Sequence, residues 1–182
     1  DGIAAARRRF PKAVHYACFD TGFHASMPTV AQETGLPPGM RDDSIRRYGF
    51  HGLSYAFIVE DLEARLGAAA AQQRLLVAHL GAGASMAAIH YGQTVDTSMG
   101  FSALAGLPMA TRSGDVDPGL LLYLILTKNW EPSELENQLY HSAGLLGLSG
   151  LSGNVQTLLA AEDNPHARRA LEQFAYQARK QA

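Results

Sequence analysis

Apolar residues recur along this chain at two spacings, and each spacing predicts a different element. Leu53, Phe57, Leu62 and Leu66 fall at four- to five-residue steps with Ile58 beside Phe57, predicting a helix that buries this one face, with Gly67 as its stop. The runs "RLLVAHL", "SMAAIHY" and "QTVDTSM" follow, short and apolar, joined only by "GAGA" and "GQ". Links this short between strand-like runs predict hairpins, and so a three-stranded antiparallel meander. Upstream, "AVHYACF" (residues 13–19) has the same character and predicts a buried strand, with Cys18 packed inside it. "TGLPPGMRDDS" is a Pro- and Gly-rich loop.

The second half changes period. After a glycine-rich polar loop, Asp117 and Pro118 predict the start of an apolar helix through "GLLLYLILTK". "PSELENQLYHSA" predicts a second helix ending near Gly144. "GLLGLSGLSGN" reads as a Gly/Ser loop and "VQTLLAAE" as a short helix. Asn164 and Pro165 open a last helix with Ala170, Leu171, Phe174, Ala175 and Ala178 on its apolar side. The chain begins on "DGIAAARRRFP", which reads as the last turns of a helix with Arg7, Arg8 and Arg9 on a solvated face. Met27, Met86, Met99 and Met109 are expected to be packing residues or loop filler.

Composition narrows the function class. An apolar fraction of 47% can fill a core, and 15 basic against 17 acidic residues argue against bulk electrostatic binding of nucleic acid. The run "GLLLYLIL" is too short to span a bilayer, so no membrane partner is expected. The single cysteine rules out an intrachain disulfide framework and suits a reducing compartment, so a cytoplasmic location is expected.

Five segments carry candidate chemistry. "CFDTGFH" sets Asp20 after an apolar run, either as a carboxylate for phosphoryl-transfer chemistry or as a turn former. "RRYGFHG" offers His51 as a hydrogen-bond donor to developing charge, or as a satisfied core histidine. "HLGAGAS" is a glycine turn whose backbone can also cradle an anion; it lacks the third glycine and following helix of a dinucleotide fingerprint. "VDTSMGF" leads into a polar loop. In "ATRSGDVDP", Arg112 beside Thr111, Ser113 and Gly114 suits phosphate or carboxylate, or is a surface arginine near capping aspartates. His15, His90, His141 and His166 lack metal-ligand spacing.

Each signal alone is weak, but "FDTGFHASMP", "RRYGFHG", "HLGAGAS", "VDTSMGF" and "TRSGDVDP" in that order strongly resemble the acetate kinase and propionate kinase family, over about residues 14–153. The resemblance implies an α/β fold: an actin-like ATPase (ribonuclease-H-like) domain whose antiparallel meander is followed by helices. Residues 1–12 would be the end of a helix from a preceding domain, and 13–182 the front part of the second actin-like domain. It also implies reversible phosphoryl transfer between ATP and acetate, giving acetyl phosphate and ADP, by in-line displacement with Mg2+ in a homodimer. On this pattern Asp20 organises the magnesium and the site, His51 contacts the moving phosphoryl group, and Arg112 stabilises its planar transition state. His79, Gly81, Ala82, Gly83, Ala84 and Ser85 form the nucleotide-phosphate loop. Asn154, Val155 and Gln156 occupy the nucleoside position, and Phe50 and Ala103 line the acyl pocket.

The chain departs from the family pattern at several points. Ala82 replaces an asparagine, Leu53 and Tyr55 alter the usual "GFHGTSH", Ala103 replaces a proline, and residues 154–156 replace an Asp-Phe-Arg triplet. A propionate or butyrate kinase, and a non-catalytic binding or dimerisation module, are the alternative readings. The family's Asn-x-Gly-Ser-Ser turn, second catalytic arginine, Gly-Gly-Ile-Gly loop and magnesium-linked glutamate lie outside these 182 residues. By the resemblance, an ATP- and acetate-dependent hydroxamate assay on this chain alone therefore shows little or no turnover.

Overall fold

A computed structural model describes residues 2–161 and 163–182. Two short helices, α1 (Gly2–Arg9) and α2 (Thr29–Gln32), precede α3 (Gly52–Leu66) and the single turn α4 (Ala68–Ala71). Strands β1 (Leu75–Leu80), β2 (Ala84–His90) and β3 (Gln93–Thr97) form one antiparallel sheet in the order β1-β2-β3. Five helices follow: α5 (Pro118–Leu126), α6 (Pro132–His141), α7 (Gly144–Ser149), α8 (Val155–Ala160) and α9 (Pro165–Gln181). The meander expected from the "GAGA" and "GQ" links is present.

Strand β2 is covered on both faces. Successive side chains on a strand point to opposite sides, and the packing follows that rule. Ala84 and Met86 join Met99, Leu107 and Met109 in one buried cluster. Ala87 and Ile89 join Tyr55 of α3 in another, with Phe23, Val59, Leu75 and Val77 around them. A third cluster ties α7, α8 and α9 together through Leu145, Leu158, Ala167 and Ala170. Met27, Met86, Met99 and Met109 are all buried.

Capping follows the sequence signals. Asp117 Oδ1 accepts from the Gly119 and Leu120 amides at the start of α5. Asn154 caps α8 through the Thr157 amide, and Asn164 caps α9 through the His166 and Ala167 amides. The last residue of "VQTLLAAE", Glu162, lies outside the described residues.

Five expectations are corrected. Residues 13–19 form no strand: they lie exposed, Val14 at 78% and Tyr16 at 87%, because no described strand runs alongside to take up their backbone hydrogen bonds. Cys18, in the same run, is exposed and not packed. Helix α3 buries Gly52 and Tyr55, not the Leu53/Phe57/Leu66 stripe, because Tyr55 and Val59, one turn apart, are the residues that meet the sheet. The "GLLGLS" part of the expected Gly/Ser loop is helix α7, held by Leu145 packing and by its amide on the Met109 carbonyl at 2.8 Å. On α9, Ala167 and Ala170 are fully buried while Ala175 is exposed.

These assignments predict contrasting stabilities. Leu158→Ala, in the fully buried α7–α9 cluster, lowers unfolding free energy by about 2–4 kcal/mol in urea titration. Phe57→Ala, on the bare side of α3, changes it by less than about 0.5 kcal/mol.

Candidate active site

Sheet register builds the site. His79 of β1 stands directly opposite Ser85 of β2, so both side chains share the face that α3 covers. The first turn of α3 lies over this pair. Ser85 Oγ is 2.8 Å from His51 Nδ1 and 2.5 Å from the Tyr55 hydroxyl, while Ser54 Oγ is 3.0 Å from His79 Nδ1. The His51 and His79 rings stack with centroids 4.0 Å apart.

His51 sits in the left-handed region at φ 60°, a conformation that costs a non-glycine residue about 1 kcal/mol or more. Its neighbours hold it there. Asp20 Oδ2 accepts from the His51 amide at 2.6 Å, and the Asp20 carbonyl accepts from the Gly52 amide at 2.8 Å. A Cβ at position 52 would lie 2.2 Å from that carbonyl, so the close approach requires glycine. The Asp20 carboxylate also faces the positive end of the α3 dipole. On the other side, His24 Nε2 donates to the Phe50 carbonyl at 2.9 Å, and Thr94 Oγ1 lies 3.1 Å from His24 Nδ1. A carbonyl only accepts, so Nε2 carries the His24 proton; burial lowers this ring's pKa and keeps it neutral, leaving Nδ1 to accept from Thr94.

Arg112 arrives from the far loop. Its Nη1 donates to the Ala103 carbonyl at 3.0 Å. The loop is tied to the glycine turn by the Ala110 amide donating to the Ala82 carbonyl at 3.0 Å. The flanking hydroxyls are spent on the scaffold: Thr111 Oγ1 donates to the Tyr140 carbonyl and Ser113 Oγ to that of Gly114. A Cβ at Gly83 would lie 2.8 Å from His51 Nε2 and 3.7 Å from Arg112 Nη1. Imidazole and guanidinium thus converge on one glycine, whose missing side chain lets His51 pack against its backbone.

The same turn borders a cleft of about 510 Å³ whose walls include Leu80, Gly81, Ala82 and Phe174 together with Asn154, Val155 and Gln156. Two segments about seventy residues apart, both expected at a nucleotide, therefore meet. Phe50 and Ala103 pack against one core cluster. Alternation along β2 turns the Ala84 side chain into the core and that of Ser85 under His51, so neither lines the cleft. Tyr55, His24 and Ser54 are given no role by the sequence reading. Only their nearness to "GFHG" and "DTGFH" hinted at them, since the partners of Tyr55 and His24 are 30 and 70 residues away.

The model of the acetokinase family matches residues 1–182. The chain belongs to that family. The acetate kinase of Rhodopseudomonas palustris strain TIE-1 is 48% identical over 174 residues, covering 96% of this chain and 44% of that protein. Among solved structures, Porphyromonas gingivalis acetate kinase superposes with a TM-score of 0.90 at 34% identity, over 98% of this chain and 46% of that one. A propionate kinase from Francisella tularensis subsp. tularensis SCHU S4 gives 0.91 at 36%, over 98% and 47%. This acetokinase-family chain thus spans less than half the length of the relatives it matches, and its α/β architecture is theirs.

Electrostatics in this family member favour a neutral His51. Burial, first, then the charges of His79 and Arg112, push its pKa from 6.5 to about 4, against the opposing pull of Asp20. Among the described residues no group of three or more His, Cys, Asp or Glu is arranged to hold a metal ion. No described helix is long and apolar enough to cross a membrane.

A depressed folded-state pKa means that the unfolded chain takes up the proton first on acidification. His51 therefore lowers stability progressively as pH falls from 6.5 towards 4. Thermal unfolding followed across that window shows this loss, and His51→Asn, which tolerates the same backbone conformation, flattens it. In NMR titration, His51 stays neutral at pH 6.

Proposed function

We propose that this chain supplies the phosphoryl-contacting part of an acetate kinase-like phosphotransferase, which moves a phosphoryl group reversibly between ATP and acetate by direct in-line transfer. The observation that carries the reading is the convergence of His51 Nε2 and Arg112 Nη1 on Gly83. A phosphoryl group in flight spreads negative charge over three oxygens, so positioned cations and donors do most of the catalytic work. Arg112 meets that charge with a permanent cation, and His51 with a neutral N–H donor. Gly81, Ala82 and Gly83 offer backbone to the nucleotide phosphates, with His79 beside them, and the cleft bordered by residues 154–156 takes the nucleoside. Phe50 and Ala103 form the apolar wall for the acyl methyl group, next to Arg112 through its bond to the Ala103 carbonyl.

Magnesium fits this site through water. The Asp20 carboxylate has lone pairs left after accepting the His51 amide, and Mg2+ commonly keeps several waters beside one or two carboxylates and substrate phosphates. Asp20 would hold the ion in that way, and the ion would neutralise charge on the phosphate oxygens. The same reading makes the whole protein a cytoplasmic homodimer, and the exposed Leu120, Leu122 and Leu126 of α5 support a surface that a neighbour covers. Ala103, where the family usually has proline, favours a second reading with propionate as the acid.

A chimera tests both readings: this chain replaces the matched segment of the Rhodopseudomonas palustris acetate kinase, and acyl hydroxamate is measured with ATP and either acid. The expected result is ATP-dependent acetyl hydroxamate, lost about 10³-fold in Arg112→Ala and about 10²-fold in His51→Ala. A folded chimera with no turnover on acetate or propionate overturns the proposal, and faster turnover on propionate favours the second reading.

A further inference from the structure

Tyr55 and Ser85 have side chains that no part of the reaction above uses, although both are fully buried and linked to His51. Their protons can be assigned by inventory. Burial raises the Tyr55 pKa, so the phenol keeps its proton. That O–H needs an acceptor, because a buried donor left unpaired costs about 1–3 kcal/mol. Ser85 Oγ, at 2.5 Å, is the acceptor in place, and the His79 backbone adds a hydrogen bond to the phenol that favours the oxygen as acceptor. With its oxygen taken by Tyr55, Ser85 turns its own proton to its other neighbour, His51 Nδ1 at 2.8 Å. The opposite sense, Nδ1–H to Ser85 and Ser85 to Tyr55, would leave the phenol proton without an acceptor.

We propose that Tyr55 and Ser85 are positioning residues: a one-way hydrogen-bond relay, Tyr55 O–H to Ser85 Oγ–H to His51 Nδ1, fixes the imidazole as its Nε2–H tautomer and keeps that proton on the edge of the ring that faces Gly83 and Arg112. The inference rests on the proposed function for its purpose, but not for its geometry. A neutral imidazole can donate from one nitrogen only. An Nδ1–H tautomer would turn a lone pair towards an incoming phosphoryl oxygen and repel it. The relay makes the donor form the ground state, so no reorganisation is needed when charge develops. No proton is transferred along it. Its directional end is a phenol where the family usually carries a histidine, which itself has two tautomers to choose between.

The test reads the tautomer directly. Long-range ¹H–¹⁵N spectra of the ¹⁵N-labelled chain near neutral pH distinguish a bare ring nitrogen from a protonated one. The wild-type chain is expected to show bare Nδ1 and protonated Nε2 at His51. Tyr55→Phe keeps the buried ring but removes the donor, and Ser85→Ala removes the link. Each is expected to give mixed tautomers, and the double variant to match Ser85→Ala alone. Well-dispersed amide spectra show which variants are folded, and either single variant suffices to read the relay. A wild-type His51 protonated on Nδ1, or folded variants with unchanged His51 nitrogen shifts, overturns the proposal. A change in Ser85→Ala without one in Tyr55→Phe overturns the part given to Tyr55. In the chimera, Tyr55→Phe is expected to lower kcat at least about tenfold with KM little changed, as expected when a misdirected tautomer spoils a catalytic histidine. An inactive chimera with the expected tautomer pattern would sink the proposed function and leave the relay standing.

Discussion

The pairing of His79 with Ser85 across β1 and β2 is the constraint on which the rest of the site depends. Because strand side chains alternate, a slip of one residue would carry Ser85 into the methionine cluster and bring Ala84 or Met86 beneath α3. Neither could bond an imidazole. The register is pinned by burial on both faces of β2, with Ala84 and Met86 on one side and Ala87 and Ile89 on the other. Core packing and site geometry are therefore one specification, written by the same strand.

Local electrostatics follow from that burial. Two stacked imidazoles beside a guanidinium would repel one another if charged, and desolvation already disfavours the charged form of His51. The site thus keeps one permanent cation, Arg112, beside a neutral His51. The Asp20 carboxylate accepts the His51 amide at the head of α3, so it steadies the backbone that carries the imidazole.

Much of this was legible in the sequence wherever the determinant is local. Hairpin links, the caps Asp117, Asn154 and Asn164, and the glycine turn act on residues within four positions, and the structure follows them. The ordered motifs also placed His51, Gly83 and Arg112 in one family pattern, and the fold brings the three together. What could not be read depends on distant partners. The run at residues 13–19 has strand composition but no described neighbour to pair with, and composition cannot supply one. The sheet-facing side of α3 is chosen by Tyr55, whose partner lies on a strand 30 residues later. Helix α7 forms in a stretch that reads as loop because the Met109 and Ala110 carbonyls take up its first amides.

The bond from the Ala110 amide to the Ala82 carbonyl has a mechanical consequence. It stitches the tip of the first hairpin to the loop that carries Arg112, and that loop is in turn stitched to α7. The three segments are therefore joined through main-chain hydrogen bonds, and a displacement of the hairpin tip would strain bonds that also seat the Arg112 loop. The tie is made by backbone atoms alone, so the alanine at position 82 forfeits a side-chain amide and still keeps the linkage.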